Sequence, residues 1–291
     1  MSDPQGESVA GDWIGRLAAA ADFARRRVVG DYQVDQRTGF DPELNRVVLM
    51  PLARALYRGW FRVQMRGIEH LPASGSALVV ANHSGVLPLD ALMLQVGILD
   101  EHPDHRNLRL LGADLVYSVP LLGRVARASG HVPANPAEAD QLLADGELVG
   151  VFPEGFKGIG KPFSDRYRLR RFGRGGFART ALRSGAPIIP CAIVGAEEIY
   201  PMVADWSELA AKLNLPYFPI TPLFPWLGPL GAIPLPSNWM IEFCDPMPTD
   251  GFAPDQCDDQ DVITELAGKV KDAIAGKLGE MLAERGPAFG G

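Results

Sequence analysis

Two short stretches carry the residue types from which a site could be assembled. The first is ANHSGVLPLD, Ala81 to Asp90, and the second is GVFPEGFKGIGKPF, Gly150 to Phe163. The first follows the apolar run SALVVA and precedes an apolar helical segment, so His83 is expected at the C-terminal edge of a sheet, where open α/β folds bind their ligands. A histidine there can act as a general base. If a helix begins near Pro88, Asp90 falls in its first turn, where a carboxylate can fix the imidazole tautomer and stabilise its charged form. Ser84 lacks the flanking residues of a G-x-S-x-G elbow, which argues against a serine nucleophile.

In the second stretch, Gly155 and the pair Gly160-Lys161 have the spacing of a phosphate-binding loop. Pro162 stands where such a loop needs Ser or Thr to hold a magnesium ion, and the following Pro-Phe-Ser run offers no helix start. A nucleotide triphosphatase is therefore set aside. His102 and His105, in EHPDH, lack further spaced ligands and are expected to be solvent-exposed rather than metal-bound.

NHSGVLPLD, VFPEGFKG and APIIPCAIVG occur in the order, and at about the spacing, of motif blocks of the glycerolipid acyltransferases. The chain resembles this glycerol-3-phosphate and lysophosphatidate acyltransferase superfamily from about Arg62 to Pro201. The resemblance implies that His83 takes the proton from an acceptor hydroxyl as that hydroxyl attacks an acyl thioester, with Asp90 as its carboxylate partner. It implies that Glu154 and Gly155 bind the acceptor, and it places Lys157 where relatives commonly have Arg. The implied donor is acyl-CoA or acyl carrier protein, the implied acceptor is a lysophospholipid or 1-acylglycerol-3-phosphate-like molecule, and no cofactor or metal is called for.

Two departures bear on that implication. Relatives commonly separate His from the carboxylate by four residues, whereas six intervene here. Either the loop bulges and restores the contact, or Asp90 is not the partner. The second block of relatives usually ends in an Arg that binds acceptor phosphate, and GHVPANPAEA, Gly130 to Ala139, contains none. Lys157, Lys161 or Arg174 would have to substitute. A non-phosphorylated acceptor, or a catalytically silent lipid-binding protein, are the rival readings.

The elements that must position these residues follow from periodicity. Strands are expected at Phe61–Met65, Ala77–Ala81, Leu108–Gly112, Leu148–Phe152, Pro187–Val194 and Trp239–Phe243. Helices are expected at Leu89–Leu99, Ala137–Ala144, Phe172–Arg183 and Asp261–Glu284, the last with Leu266, Val270, Ile274, Leu278 and Met281 on one face. This alternation predicts an α/β fold with a layered, mostly parallel sheet flanked by helices. Residues 1–60 read as an N-terminal helical cap. Within it Trp13, Leu17, Ala20, Ala24 and Val28 form an apolar stripe on an Arg-bearing helix, expected to pack on the body or to meet a membrane interface. A second helix, from Leu44 to Phe61, carries Leu49, Leu52, Leu56 and Trp60 beside its arginines. Residues 61–291 form the α/β domain. The proline-rich excursion at residues 213–236 bears Tyr217, Phe218, Phe224, Trp226 and Leu230, either as a buried cover or as an apolar patch beside an acyl chain or bilayer.

A net charge of −7 opposes nucleic-acid binding. Within this acidic chain a basic island runs from Lys157 to Arg183 against the single acid Asp165, as would suit an anionic substrate or an anionic membrane surface. Cys191, Cys244 and Cys257 are too few and too scattered for a disulfide framework. The N-terminus does not read as a secretory signal. The uncharged stretches Leu71–Leu89 and Leu213–Ile241 are broken by polar residues or prolines, so neither is expected to span a bilayer. The expected setting is cytoplasmic, peripheral on the inner face of a membrane.

Overall fold

The computed structural model describes residues 21–288 together with Gly15 and Ala18. Its centre is a seven-stranded sheet in the order β1-β9-β6-β2-β5-β3-β4. The strands are β1 (Gln64–Arg66), β2 (Ala77–Ala81), β3 (Leu108–Gly112), β4 (Val132–Pro133), β5 (Leu148–Val151), β6 (Ile188–Val194) and β9 (Met240–Phe243). Strands β6, β2, β5, β3 and β4 run parallel, while β9 is antiparallel to β6 and carries β1 parallel to itself. The sheet is thus mostly parallel, as the alternation predicts. Every residue of β2 and β6 is buried, the mark of strands covered on both faces.

One face is covered by the helix Leu89–Glu101 and by the helical stretch at residues 42–60; the other by Pro136–Ala144, Gly176–Ser184 and the long C-terminal helix Gln260–Glu284. The C-terminal helix buries Leu266, Val270, Ile274, Leu278 and Met281, the stripe expected from the sequence, and Asp259 caps its start by accepting from Asp261 N. Strands β2 and β5 are neighbours, yet their exit helices go to opposite faces. That arrangement opens a crevice at the carboxyl ends of β2 and β5, a topological switch point.

Several boundaries depart from the periodic reading. Arg62 takes a φ of +43° and ends the preceding helical stretch, so the first strand starts at Gln64 instead of Phe61. Gly173 and Gly175, at φ +53° and +77°, hold off helix formation until Gly176. The helices Asp114–Ser118 and Pro120–Ala128 had no strong signal. In the stretch 42–60 the face turned inward is Met50, Ala53 and Tyr57, whereas Leu52 and Trp60 are exposed. Pro51 has no N–H to continue the ladder and the turns on either side widen, Met50 N bonding Asn45 O and Phe61 N bonding Leu56 O, which rotates the stripe.

Of the two placements expected for the earlier helix, its described part does not pack on the body through the apolar stripe. Residues 21–29 are helical, and Arg26 and Arg27 reach inward to Glu43 and Asp41, while Ala24 and Val28 face outward, Val28 being 87% exposed. Ion pairing, not the apolar stripe, docks this segment. Trp13, Leu17 and Ala20 lie outside the described residues. The excursion 213–236 is neither wholly cover nor wholly patch. Pro219–Ile220 (β8) pairs antiparallel with Ala204–Asp205 (β7), Tyr217, Phe218 and Phe224 are half-buried, and Trp226 and Leu230 are 72% and 63% exposed. Among the described residues no helix is long and apolar enough to cross a membrane.

Candidate active site

The crevice is built from the end of β2 outward. Beyond Ala81 the backbone leaves the ladder, and the buried Asn82 side chain continues it by accepting from Ile193 N at 2.7 Å and donating to Ile193 O at 3.0 Å. This clamps the chain just before His83. The imidazole stacks on Phe152, 4.5 Å between ring centres, and His83 Nδ1 lies 2.7 Å from Asp90 Oδ2.

Six intervening residues do restore the contact. Gly85 sits at φ +82°, and a Cβ there would lie 3.1 Å from Ala196 O and 3.2 Å from Leu87 O, so the bulge needs glycine both for its conformation and for its space. The carbonyl of Val86 accepts a hydrogen bond from Tyr217 Oη, on the excursion. Burial, reinforced by the negative charge of Asp90, raises the Tyr217 phenol well above its ordinary range, which keeps it a donor.

Asp90 is fully buried and accepts from Ser84 N and Ala91 N, both at 2.8 Å. With its oxygens engaged as acceptors, the shared proton belongs on Nδ1 of His83, leaving the Nε2 lone pair free to take a proton. The carboxylate also lies in the first turn of the helix Leu89–Glu101, where the helix dipole favours negative charge. Among the described residues Ser84 Oγ is buried without a hydrogen-bond partner, and His83 Nδ1 is taken by Asp90.

The loop after β5 completes the crevice. Glu154 is buried, and its carboxylate accepts from His83 N at 3.0 Å and from Arg170 N at 2.6 Å, so it holds two loops together. Gly155 turns the chain at φ +54°, ψ −145° with open space where a Cβ would stand. The short helix Phe156–Ile159 then packs on the histidine: a Cβ on Gly158 would lie 2.8 Å from both His83 O and Glu154 Cβ. Lys157, on this helix, is exposed. Lys161 is buried, with Nζ 3.0 Å from Glu197 Oε1, 3.6 Å from Glu154 Oε2 and 3.3 Å from Arg168 O. Burial raises the Glu197 carboxyl against the lowering effect of Lys161 and the Tyr167 amide. Arg174 is not brought to this crevice; it lines a separate cleft beside the C-terminal helix.

Thus His83, Asp90 and Glu154 converge, with Gly155 and Lys157 at the rim and Lys161 beneath. Phe152, Gly158, Glu197 and Tyr217 complete the surroundings. Gly158 was within the quoted motif; Tyr217, from the excursion, had no local signal. His102 and His105, expected in solvent, instead meet the carbonyls of Leu71 and Leu99, and His102 is buried.

Comparison with known proteins matches residues 62–194 to a family model described as acyltransferase, a span that holds His83, Asp90, Glu154 and Lys161 but not Glu197 or Tyr217. The stretch from 62 to 194 belongs to the acyltransferase family. An uncharacterized protein of Mycobacterium tuberculosis is 53% identical over 285 residues, covering 98% of this chain and 79% of the relative. A Homo sapiens protein named DGAT1/2-independent enzyme synthesizing storage lipids is 23% identical over 216 residues, covering 74% of this chain and 60% of that protein. The crystal structure of the Thermotoga maritima 1-acyl-sn-glycerophosphate acyltransferase, PlsC, superposes with a TM-score of 0.56 at 18% identity, covering 94% of this chain and 99% of that one, which establishes the shared fold. The acyltransferase match over this stretch supports acyl transfer as the reaction class.

Proposed function

We propose that the protein is an O-acyltransferase that moves a fatty acyl chain from a thioester donor, acyl-CoA or acyl carrier protein, to a hydroxyl of a lysophospholipid or 1-acylglycerol-3-phosphate-like acceptor. The observation that carries this reading is the His83–Asp90 contact at 2.7 Å with Nε2 left free at the switch-point crevice. An alcohol is too weakly acidic to attack a thioester at neutral pH unaided. His83 Nε2 takes the hydroxyl proton as the oxygen attacks the acyl carbon; Asp90 stabilises the imidazolium; the proton then passes to the departing thiolate. The acyl–sulfur bond breaks as the ester bond forms, and neither a protein nucleophile nor a cofactor takes part. Glu154 positions the His83 backbone, and Lys157 at the rim meets an acceptor phosphate.

One observation favours a second reading. Lys161 is occupied by Glu197, which leaves Lys157 as the cation near the crevice that is free for a phosphate, and so favours a non-phosphorylated acceptor. For either acceptor, the outward Val28 and the exposed Trp226 and Leu230 offer apolar contact to the inner face of a membrane. The test is thiol release from a long-chain acyl-CoA or acyl carrier protein in the presence of lysophosphatidate, lysophosphatidylcholine or diacylglycerol. Acceptor-dependent release that disappears in His83→Ala supports acyl transfer and names the acceptor. No release by the wild type with any donor and acceptor would favour a silent lipid-binding protein.

A further inference from the structure

Most of the basic island is neutralised within the molecule. Arg168 and Arg170 pair with Asp165, Arg179 and Arg183 pair with Asp258, Lys161 pairs with Glu197, and Arg166 lies over Phe163. Arg171 and Arg174 are different. Neither has an acidic or hydrogen-bonding partner among the described residues, and both line one open cleft of about 460 Å³. A third unpaired cation, Lys271 of the C-terminal helix, lines the same cleft. Phe172, Ala267 and Gly268 also line it, and a Cβ on Gly268 would meet nothing within 4 Å. Three cations without a partner among the described residues, around one opening in a chain of net charge −7, mark a place for an anion.

The position of the cleft selects which anion. His83 stacks on Phe152, whose ring packs with the core on the first face of the sheet, whereas Phe172 and Ala267 belong to the core on the second face. The two places are joined over the sheet edge by one loop, since Arg170 N bonds the same Glu154 carboxylate that holds His83 N. Arg174 lies four residues beyond Arg170, and the chain turns between them at Gly173 (φ +53°), so the two are separated by less than the ~14 Å of an extended backbone. A glycerophosphate-type acceptor carries its phosphate only a few bonds from the attacking hydroxyl, about 5 Å at ordinary bond lengths. Such a phosphate stays at the crevice when the hydroxyl is at His83. In a CoA thioester the pantetheine arm separates the sulfur from the nucleotide phosphates by about a dozen bonds, roughly 15 Å extended. That arm can pass over the edge.

We propose that the cleft formed by Arg171, Arg174 and Lys271 binds the phosphates of a nucleotide-bearing thioester donor, with the pantetheine arm running past Glu154 to His83. This rests on the acyl-transfer reading and deepens it, by assigning CoA as the carrier.

The test compares wild type with Arg174→Gln and with the triple variant Arg171→Gln, Arg174→Gln, Lys271→Gln. Free CoA and free pantetheine are titrated calorimetrically, and kcat/KM is measured for palmitoyl-CoA, for S-palmitoyl-N-acetylcysteamine, which has no nucleotide, and for the acceptor. The expected result is a CoA Kd raised about tenfold by Arg174→Gln and further by the triple variant, as follows from losing charge-assisted bonds. The preference for palmitoyl-CoA over the truncated thioester should fall by a similar factor. The proposal is overturned by a wild type that binds CoA no better than pantetheine, by variants that bind CoA as wild type does, or by a rise confined to the acceptor KM. Because the titrations need no turnover, a failure of the acyl-transfer reading and a failure of the cleft are told apart. Circular dichroism and thermal melting of Arg174→Gln, whose guanidinium is exposed, confirm that the loss is not one of folding.

Discussion

The loop from Asn82 to Asp90 and the excursion from Leu213 to Pro236 meet at one hydrogen bond, from Tyr217 to the Val86 carbonyl, and are otherwise built on opposite rules. In the first, Asn82 is locked to β6, and Asp90 is satisfied by His83 and two backbone amides. In the second, Trp226, Leu227, Leu230 and Ile233 project their apolar surface into solvent. On the proposed function, the difference separates two tasks. Proton transfer needs groups held in place before substrate arrives, because geometry looser by an ångström is costly. Contact with a lipid chain or a bilayer needs apolar area more than fixed geometry.

The contrast can be broken from its rigid side first. His83→Ala should lower acceptor-dependent acyl transfer by ~10²–10⁴-fold, the range for losing a positioned base. Gly158→Ala puts a Cβ 2.8 Å from His83 O and Glu154 Cβ, and the shift it forces should cost about 1–3 kcal/mol in denaturant unfolding and at least tenfold in kcat. Unaltered stability and kcat would show that the short helix is not seated on the histidine. Tyr217→Phe leaves the Val86 carbonyl unpaired and should cost about 1 kcal/mol of stability, with a smaller fall in kcat. A fall as large as that of His83→Ala would mean that the excursion, too, belongs to the fixed chemistry.

On the adaptable side, replacing Trp226 and Leu230 with Ser should leave the melting temperature nearly constant, since both side chains are exposed. It should reduce co-sedimentation with phospholipid vesicles by tenfold or more, at roughly 1.5–3 kcal/mol for each large apolar side chain buried. Binding equal to wild type would remove the membrane role from this surface.

Much of this arrangement was legible where the signal is local. The run SALVVA gave β2 to the residue, because a strand buried on both faces needs an unbroken apolar string. The C-terminal helix shows its buried stripe because one face repeats over about five turns, from Ile263 to Met281. The pairing of charges was not legible. Lys161, counted as a substrate cation, meets Glu197 thirty-six positions away, and nothing near Gly160 announces it. In the helix at 21–29 the stripe does not announce that Arg26 and Arg27 reach Glu43 and Asp41, which leaves Ala24 and Val28 facing outward. Counting residues between His83 and Asp90 left the contact open for the same reason: Gly85's conformation and the tie from Tyr217, 131 positions on, decide it.

The central claim is that His83 and Asp90 act as one unit despite the six residues between them. It is tested most directly by kcat for His83→Ala, Asp90→Asn and the double variant, with the preferred acceptor saturating. Groups that act together are strongly non-additive. The account predicts that Asp90→Asn alone lowers kcat by at least tenfold and that the double variant is no slower than His83→Ala. An Asp90→Asn variant that turns over as wild type does, or a double variant slower by the product of the two single losses, would contradict it.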